Sequence, residues 1–276
     1  MPINFYFDTA NPIKIEEWWK KLKNIINPAN IIGVTTNPNA LNKVEVTCLN
    51  VYIEVIYELF EILKIIKKNN DGIVYIQIPN SQCSLLEIEK FVGLIKSIFP
   101  KQFKIGLKIP PRIDILKFFQ MPGKSSEFRD LYLNVTGITD SLTALQMLSY
   151  DIKYISFLTG RLEESGVDAG SHISFVNNSK LGNKKIIAGS MRTPAQLELV
   201  CGLNCVPTIG ETLWNSLFEE NKIDLLTKEY KTQEIENKDF SFLFSPYAGC
   251  NKVAKDFLNQ MDTAGRNMHE VFKAIA

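Results

Sequence analysis

The chain has only two histidines, His172 and His269, among 276 residues. A multi-histidine metal centre and a histidine-activated nucleophile therefore have little material to draw on. Cysteine is scarce and odd in number, with five residues at Cys48, Cys83, Cys201, Cys205 and Cys250. Only Cys201 and Cys205 are near one another, a helical turn apart or across a loop, which is not a disulfide framework. An excess of one charge is also missing. Lys plus Arg number 31 against 30 for Asp plus Glu, a formal balance of +1, so nothing in the composition favours a nucleic acid or an anionic membrane as partner. No apolar run approaches the ~20 residues of a membrane span. The start, Met1-Pro2-Ile3-Asn4-Phe5, lacks the basic-then-apolar layout of a signal peptide, and a cytoplasmic location is expected. Internal repeats and low-complexity stretches are absent. No glycine-rich turn follows the first apolar run, where Asp8-Thr9-Ala10-Asn11-Pro12 stands instead, and this argues against a dinucleotide-binding open sheet.

Hydrophobic residues at 45% and charged residues at 22% are enough for one large core. Short apolar runs alternate with helical patterns from end to end, as successive βα units do. Strands are expected at residues 3–8, 31–36, 73–79, 103–109, 130–136, 153–158, 185–190 and 205–209. The first intervening helix shows Ile15, Trp18, Trp19, Leu22 and Ile25 at helical spacing. Eight units predict an α/β fold, a TIM (β/α)8 barrel over about residues 1–220 with a C-terminal helical arm over about 221–276, all one domain. The polar segment from Lys228 to Lys238 is the candidate linker. The arm carries Phe240-Ser241-Phe242-Leu243-Phe244 and then a helix with Phe257, Leu258 and Met261 at helical spacing, interrupted or ended near Gly265. An apolar arm outside a completed barrel is expected to pack on a neighbouring subunit, giving a homo-oligomer.

Four expected strand ends carry polar side chains: Asp8, Gln77, Lys108 and Thr136. Residues two apart share a face of a strand, so these four converge if the strands lie parallel around one centre. Lysine in a strand is usually a surface residue with its ammonium in water. An inward lysine at the carboxyl end of a barrel strand is different, because loss of water lowers its pKa from about 10.4 toward the ~7–8 range that enzymes use. The neutral amine of Lys108 can then attack a carbonyl and form a Schiff base, an electron sink that needs no metal or cofactor. Asp8 can accept and return a substrate hydroxyl proton, although an aspartate before a helical pattern is also an ordinary helix cap. Gln77 and Thr136 can hold a water between them or satisfy barrel backbone. Thr36 and Asn37, in Val34-Thr35-Thr36-Asn37-Pro38, can bond sugar hydroxyls, and the same residues are a turn signal. Two later segments, Gly160-Arg161 and Gly189-Ser190-Met191-Arg192-Thr193-Pro194, place cations at adjacent strand ends. Arg161, Arg192, Ser190 and a helix starting near Pro194 suit a phosphate group.

Together these segments resemble the transaldolase family, and in particular its shorter branch, which includes fructose-6-phosphate aldolase; the match runs from about Ile3 to Phe218. Phe7-Asp8-Thr9, Gly33-Val34-Thr35-Thr36-Asn37-Pro38, Leu107-Lys108-Ile109-Pro110 and Asn134-Val135-Thr136 resemble its first-, second-, lysine- and fifth-strand motifs. Gly160-Arg161 and Ala188-Gly189-Ser190-Met191-Arg192-Thr193-Pro194 resemble its phosphate-binding elements. The resemblance implies a Schiff base on Lys108 and transfer of a dihydroxyacetone unit between sugar phosphates of the pentose phosphate pathway. Its substrates are then fructose 6-phosphate, sedoheptulose 7-phosphate, glyceraldehyde 3-phosphate and erythrose 4-phosphate, bound by Thr36, Asn37, Asn134, Arg161, Ser190 and Arg192. Family members are commonly oligomeric. Three departures stand out. Phe157-Leu158-Thr159-Gly160-Arg161 lacks the Pro-aromatic pair before the arginine, Thr139 and Thr143 occupy the family's aromatic and Gln positions, and Gln77 stands where transaldolases carry glutamate and fructose-6-phosphate aldolases glutamine. Aldolase-type cleavage therefore remains an alternative. So does a silent barrel that serves as a binding or assembly protein.

Overall fold

Each of the eight expected apolar runs forms a parallel strand in the computed structural model, which describes residues 2–68, 71–99, 101–121, 128, 130–150, 152–179, 185–231 and 247–273. The strands are β1 Phe5–Asp8, β2 Ile31–Thr35, β3 Ile73–Gln77, β4 Lys104–Ile109, β5 Tyr132–Ile138, β6 Tyr154–Phe157, β7 Lys185–Ala188 and β8 Val206–Gly210. Each pairs with the next, and β1 pairs with β8, so the sheet closes into a barrel in chain order. Helices between the strands form the outer layer, making a (β/α)8 barrel. No helix among the described residues is long and apolar enough to cross a membrane.

Two-residue alternation sorts the strand side chains. Phe5, Phe7, Val34, Ile76, Leu107, Ile109 and Val135 belong to the large buried cluster that also takes in the helices. Trp18 of the helix Pro12–Leu22 stacks on Phe7 and on Trp214, at centroid distances of 6.0 and 5.5 Å. Ile15, Trp18 and Leu22 are buried as their spacing requires, whereas Ile25 lies beyond that helix and is exposed. A second, smaller cluster of Tyr6, Ile73, Tyr75, Ile187 and Val206, with Tyr132 and Tyr154 against it, forms apart from the outer one. Gly106 makes room for it, since a Cβ there would fall 2.2 Å from the Tyr75 ring. Burial drives the Tyr6 and Tyr75 hydroxyls well above the ordinary tyrosine range, so both stay protonated.

The C-terminal helix Tyr247–Lys273 differs from expectation in one way. It runs through Gly265 instead of stopping there, because the glycine is a point of contact: a Cβ would fall 1.7 Å from the Pro79 carbonyl oxygen. It also makes direct contacts with its own barrel. Asp262 accepts from the Ser81 backbone N–H at 2.7 Å and from its hydroxyl at 2.9 Å, while Asn42 Nδ2 donates to the Ala264 carbonyl at 3.0 Å. Val253 and Met261 are buried in the main core, so these apolar side chains pack within the chain. The aromatic run from Phe240 to Phe244 and the linker segment from residue 232 onward lie outside the described residues. All five cysteines are free thiols.

One buried contact fastens the start of this helix. His172, on the helix Ala169–Asn177, accepts the Ser141 backbone N–H on Nδ1 at 3.2 Å, and its Nε2 lies 3.9 Å from Cys250 Sγ. A proton on Nδ1 would set two N–H groups against each other. Burial holds the His172 pKa below its ordinary 6.5, against the opposing pull of Asp140 and Asp168. The folded chain thus prefers the neutral ring, while the unfolded chain takes up a proton near that ordinary value. This contribution to stability is complete above about pH 6.5 and declines as pH falls toward the lowered native pKa. Urea unfolding of wild type and His172→Gln on both sides of that window should show a smaller loss on acidification in the variant. Identical acid losses would contradict the contact's role.

Candidate active site

The carboxyl ends of the strands open into a cavity of about 600 Å³ lined by Asp8, Asn37, Gln77, Lys108, Thr136, Arg161, Ser190 and Arg192. Eight of the ten residues expected from sequence thus meet in one place. Lys108 is only 8% exposed, and its Nζ donates to the Thr36 carbonyl at 3.1 Å. Burial lowers its pKa below the usual lysine value, with the nearby Asp8 carboxylate pulling the other way. In register Gln77 lies beside Lys108, and Lys108 beside Asn134. Gln77 is 4% exposed, and neither end of its amide has a hydrogen-bond partner among the described residues.

Asp8 is not a helix cap. Asn11 takes that role for the helix Pro12–Leu22 by accepting from the Ile13 and Lys14 N–H groups. Asp8 Oδ1 instead accepts from Thr35 Oγ1 at 2.8 Å and from Asn37 Nδ2 at 3.4 Å. Asn37 also caps the helix Pro38–Lys43, accepting from the Ala40 N–H at 2.9 Å, so the turn reading and the site reading of that residue both hold geometrically.

Two expected residues stand elsewhere. The Thr36 hydroxyl donates to the Tyr75 carbonyl at 3.0 Å, away from the cavity, and Thr35 faces the cavity in its place. The cause is parity, because Asp8 pairs with Thr35 and side chains of successive residues point to opposite faces. Asn134 is fully buried and accepts from Ser156 Oγ at 2.9 Å; Ser156, not Asn134, lines the cavity. The helix Pro194–Gly202, expected beside an anion site, carries a local cap. Its start is closed by its own capping box, with Thr193 and Gln196 bonded to each other's backbone and the Arg192 N–H donating to Gln196 at 2.7 Å.

The two arginines differ. Arg192 forms an ion pair with Glu164. Arg161 has no ion pair among the described residues, and its Nε is buried without a partner. Burial lowers its pKa from the usual arginine value, and the adjacent Arg192 charge adds to this. The Gly160 N–H donates to the Gly189 carbonyl at 3.2 Å, tying the Arg161 turn to the Ser190 turn, where Ser190 takes the left-handed φ of 61°.

Sequence reading missed Thr35, Ser156, Thr208, Phe257, Gln260 and Met261 as cavity residues. Alternation along β6 and β8 carries a signal for Ser156 and Thr208. None exists for the three residues of the C-terminal helix, whose placement is a tertiary matter. Thr143 is used in a local cap with Asp140, and Thr139, though buried, does not line the cavity.

No family model matches the chain. It is similar to a probable transaldolase of Streptococcus equi subsp. zooepidemicus (strain MGCS10565), 28% identical over 222 residues that cover 79% of this chain and 91% of the relative. A probable transaldolase of Streptococcus pyogenes serotype M5 (strain Manfredo) is 28% identical over 217 residues, 77% of this chain and 88% of the relative. Among solved structures, QR15, an aldolase, aligns at 15% identity with a TM-score of 0.45 over 82% of this chain and 97% of that one. Both sequence likenesses, each covering more than three quarters of this chain, are to proteins named as probable transaldolases.

The unequal arginines generate a prediction. A hydrogen bond to a charged group is worth roughly 1.5–3 kcal/mol, so Arg161→Ala should weaken inorganic phosphate binding by about tenfold or more. Arg192→Ala should cost less, because Glu164 already shares its charge. Calorimetric titration in which Arg192→Ala loses more than Arg161→Ala would reverse the assignment.

Proposed function

We propose that the protein is a Schiff-base enzyme that transfers a dihydroxyacetone unit between sugar phosphates, as a transaldolase does. The observation that carries this reading is Lys108, a desolvated amine of lowered pKa facing the cavity that also holds Asp8. Neutral Lys108 attacks the ketone carbon of a ketose phosphate, and the carbinolamine takes up a proton from solvent and loses its hydroxyl as water, leaving an iminium. The Asp8 carboxylate takes the proton of the hydroxyl β to that carbon. The carbon–carbon bond then breaks, its electron pair neutralises the iminium to an enamine, and an aldose phosphate departs. Addition of the enamine to an acceptor aldehyde regenerates the iminium; return of the Asp8 proton to the new alkoxide and hydrolysis of the iminium, which frees the neutral amine and gives a proton back to solvent, complete the transfer. Thr35 and Asn37 bond only Oδ1 of Asp8, which leaves Oδ2 for the substrate proton. Gln77 and Thr136, both in the cavity wall, are the groups that would orient the water. Arg161, Arg192 and Ser190 would receive the phosphate. The likeness to probable transaldolases supports this chemistry.

One observation favours a second reading. Gln77 is neutral where a glutamate would carry a proton, which suits cleavage with release of free dihydroxyacetone, the fructose-6-phosphate aldolase reaction.

Incubation with fructose 6-phosphate and borohydride should add one dihydroxyacetone-derived mass to the wild type and none to Lys108→Met. Labelling that persists in the variant, on Lys104 for example, rejects Lys108. Because the neutral amine is the nucleophile, trapping should stay efficient well below pH 10.5, the ordinary lysine value.

Gln77→Glu should move the balance from released dihydroxyacetone toward transfer onto an added aldose phosphate. Efficient transfer without any cleavage by the wild type would defeat the role given to the glutamine.

A further inference from the structure

The C-terminal helix crosses the barrel mouth between two fastened ends. Cys250 against His172 holds one end, and Asp262 with Ser81 and Gly265 on Pro79 hold the other. The turn between them reaches the cavity through Phe257, Gln260 and Met261.

Phe257 has a shaped seat. Gly137 sits in the bulge of β5, just after Thr136, with φ of +85°, and a Cβ there would fall 2.6 Å from the Phe257 ring. Any other residue at that position would be strained and would displace the ring. The ring also meets Arg161, whose guanidinium carbon lies 5.7 Å from its centroid. Arg161 is the arginine without an ion pair among the described residues, and Asp256, the neighbour of Phe257 on the helix, and Asp8 act on it only as opposing charges.

A carboxylate holds an arginine but cancels part of its charge, as Glu164 does for Arg192. An aromatic face orients a guanidinium through its quadrupole and leaves the net charge intact. We propose that Phe257 is a positioning residue that aims Arg161 at the anionic group of a phosphorylated substrate, so that the C-terminal helix completes the site of its own barrel. The proposal rests on the sugar-phosphate reading of the cavity and adds to it a residue 96 positions beyond Arg161 in the chain.

The test titrates the full-length protein with inorganic phosphate by calorimetry. Phe257→Leu keeps apolar bulk and removes the ring face, and should weaken phosphate by about threefold to tenfold; Phe257→Tyr should restore wild-type affinity. In turnover, Phe257→Leu should raise KM for a phosphorylated donor by more than it raises KM for unphosphorylated dihydroxyacetone, a split that a general loss of packing does not produce. Phosphate affinity in Phe257→Leu equal to wild type, while Arg161→Ala loses it, overturns the proposal. If Phe257→Leu does not fold, Phe257→Met serves in the same comparison. Failure of the underlying reading is separate, because it appears in the wild type itself as absence of borohydride trapping on Lys108.

Discussion

Removing a lysine ammonium from water costs several kcal/mol unless a charge or a set of acceptors replaces the lost hydration. Lys108 receives one backbone carbonyl, that of Thr36, and the field of Asp8, which is a short supply of partners for a cation. Burial therefore shifts the balance toward the neutral amine, against the opposing pull of Asp8, and much of the surrounding architecture adds no further anion to oppose that shift. The tyrosine cluster of Tyr6, Tyr75, Tyr132 and Tyr154 is separate from the outer core. Its two deepest hydroxyls keep their protons and bring no anion near the amine. The other strand-end groups around the cavity, Thr35, Gln77, Thr136, Ser156 and Thr208, are neutral hydrogen-bonding groups. Asp8 is the carboxylate among the strand ends, and two donors on one of its oxygens fix where it points.

The opposite side of the cavity poses the inverse electrostatic problem. Burial disfavours the Arg161 charge, and the nearby Arg192 charge adds to the cost. The chain resolves it unequally, with a carboxylate for one and an aromatic face for the other. A fully paired couple would hold its geometry but attract an anion weakly. A fully unpaired couple would attract strongly but hold no geometry. One paired and one ring-held arginine keeps orientation and leaves net positive charge at the rim.

Much of this was legible in the sequence because a closed parallel barrel converts period-two alternation into a common centre. Asp8, Gln77, Lys108 and Thr136 were found that way, and all line the cavity. The same logic explains the errors. In Thr35-Thr36 the two residues are chemically identical, and a one-residue shift of the strand end inverts which of them faces inward. Asn134 has the parity of Thr136, yet it is buried and bonded to Ser156, since alternation fixes the face and not the depth. Gly265 read as a helix breaker because propensity is local, whereas contact with Pro79 outweighs a weak local preference. The place of Phe257 in the wall was invisible because its seat, Gly137, is distant in the chain and signals only a bulge.

Gln77 joins these themes. It pairs in register with Lys108 on adjacent strands, so the two side chains share the cavity face. Inward neighbours on paired strands come within reach of each other. A glutamate at that position would add a second carboxylate near the amine and favour the ammonium, raising the lysine pKa against the lowering that burial imposes. The glutamine instead supplies a donor and an acceptor, both unpartnered among the described residues, without that electrostatic cost. Neutrality at Gln77 thus has two consequences. On the Schiff-base reading proposed above, it would withdraw a proton carrier from the pair facing the water and would favour the nucleophilic form of Lys108 at lower pH, so one residue would bias both the formation and the fate of the covalent intermediate.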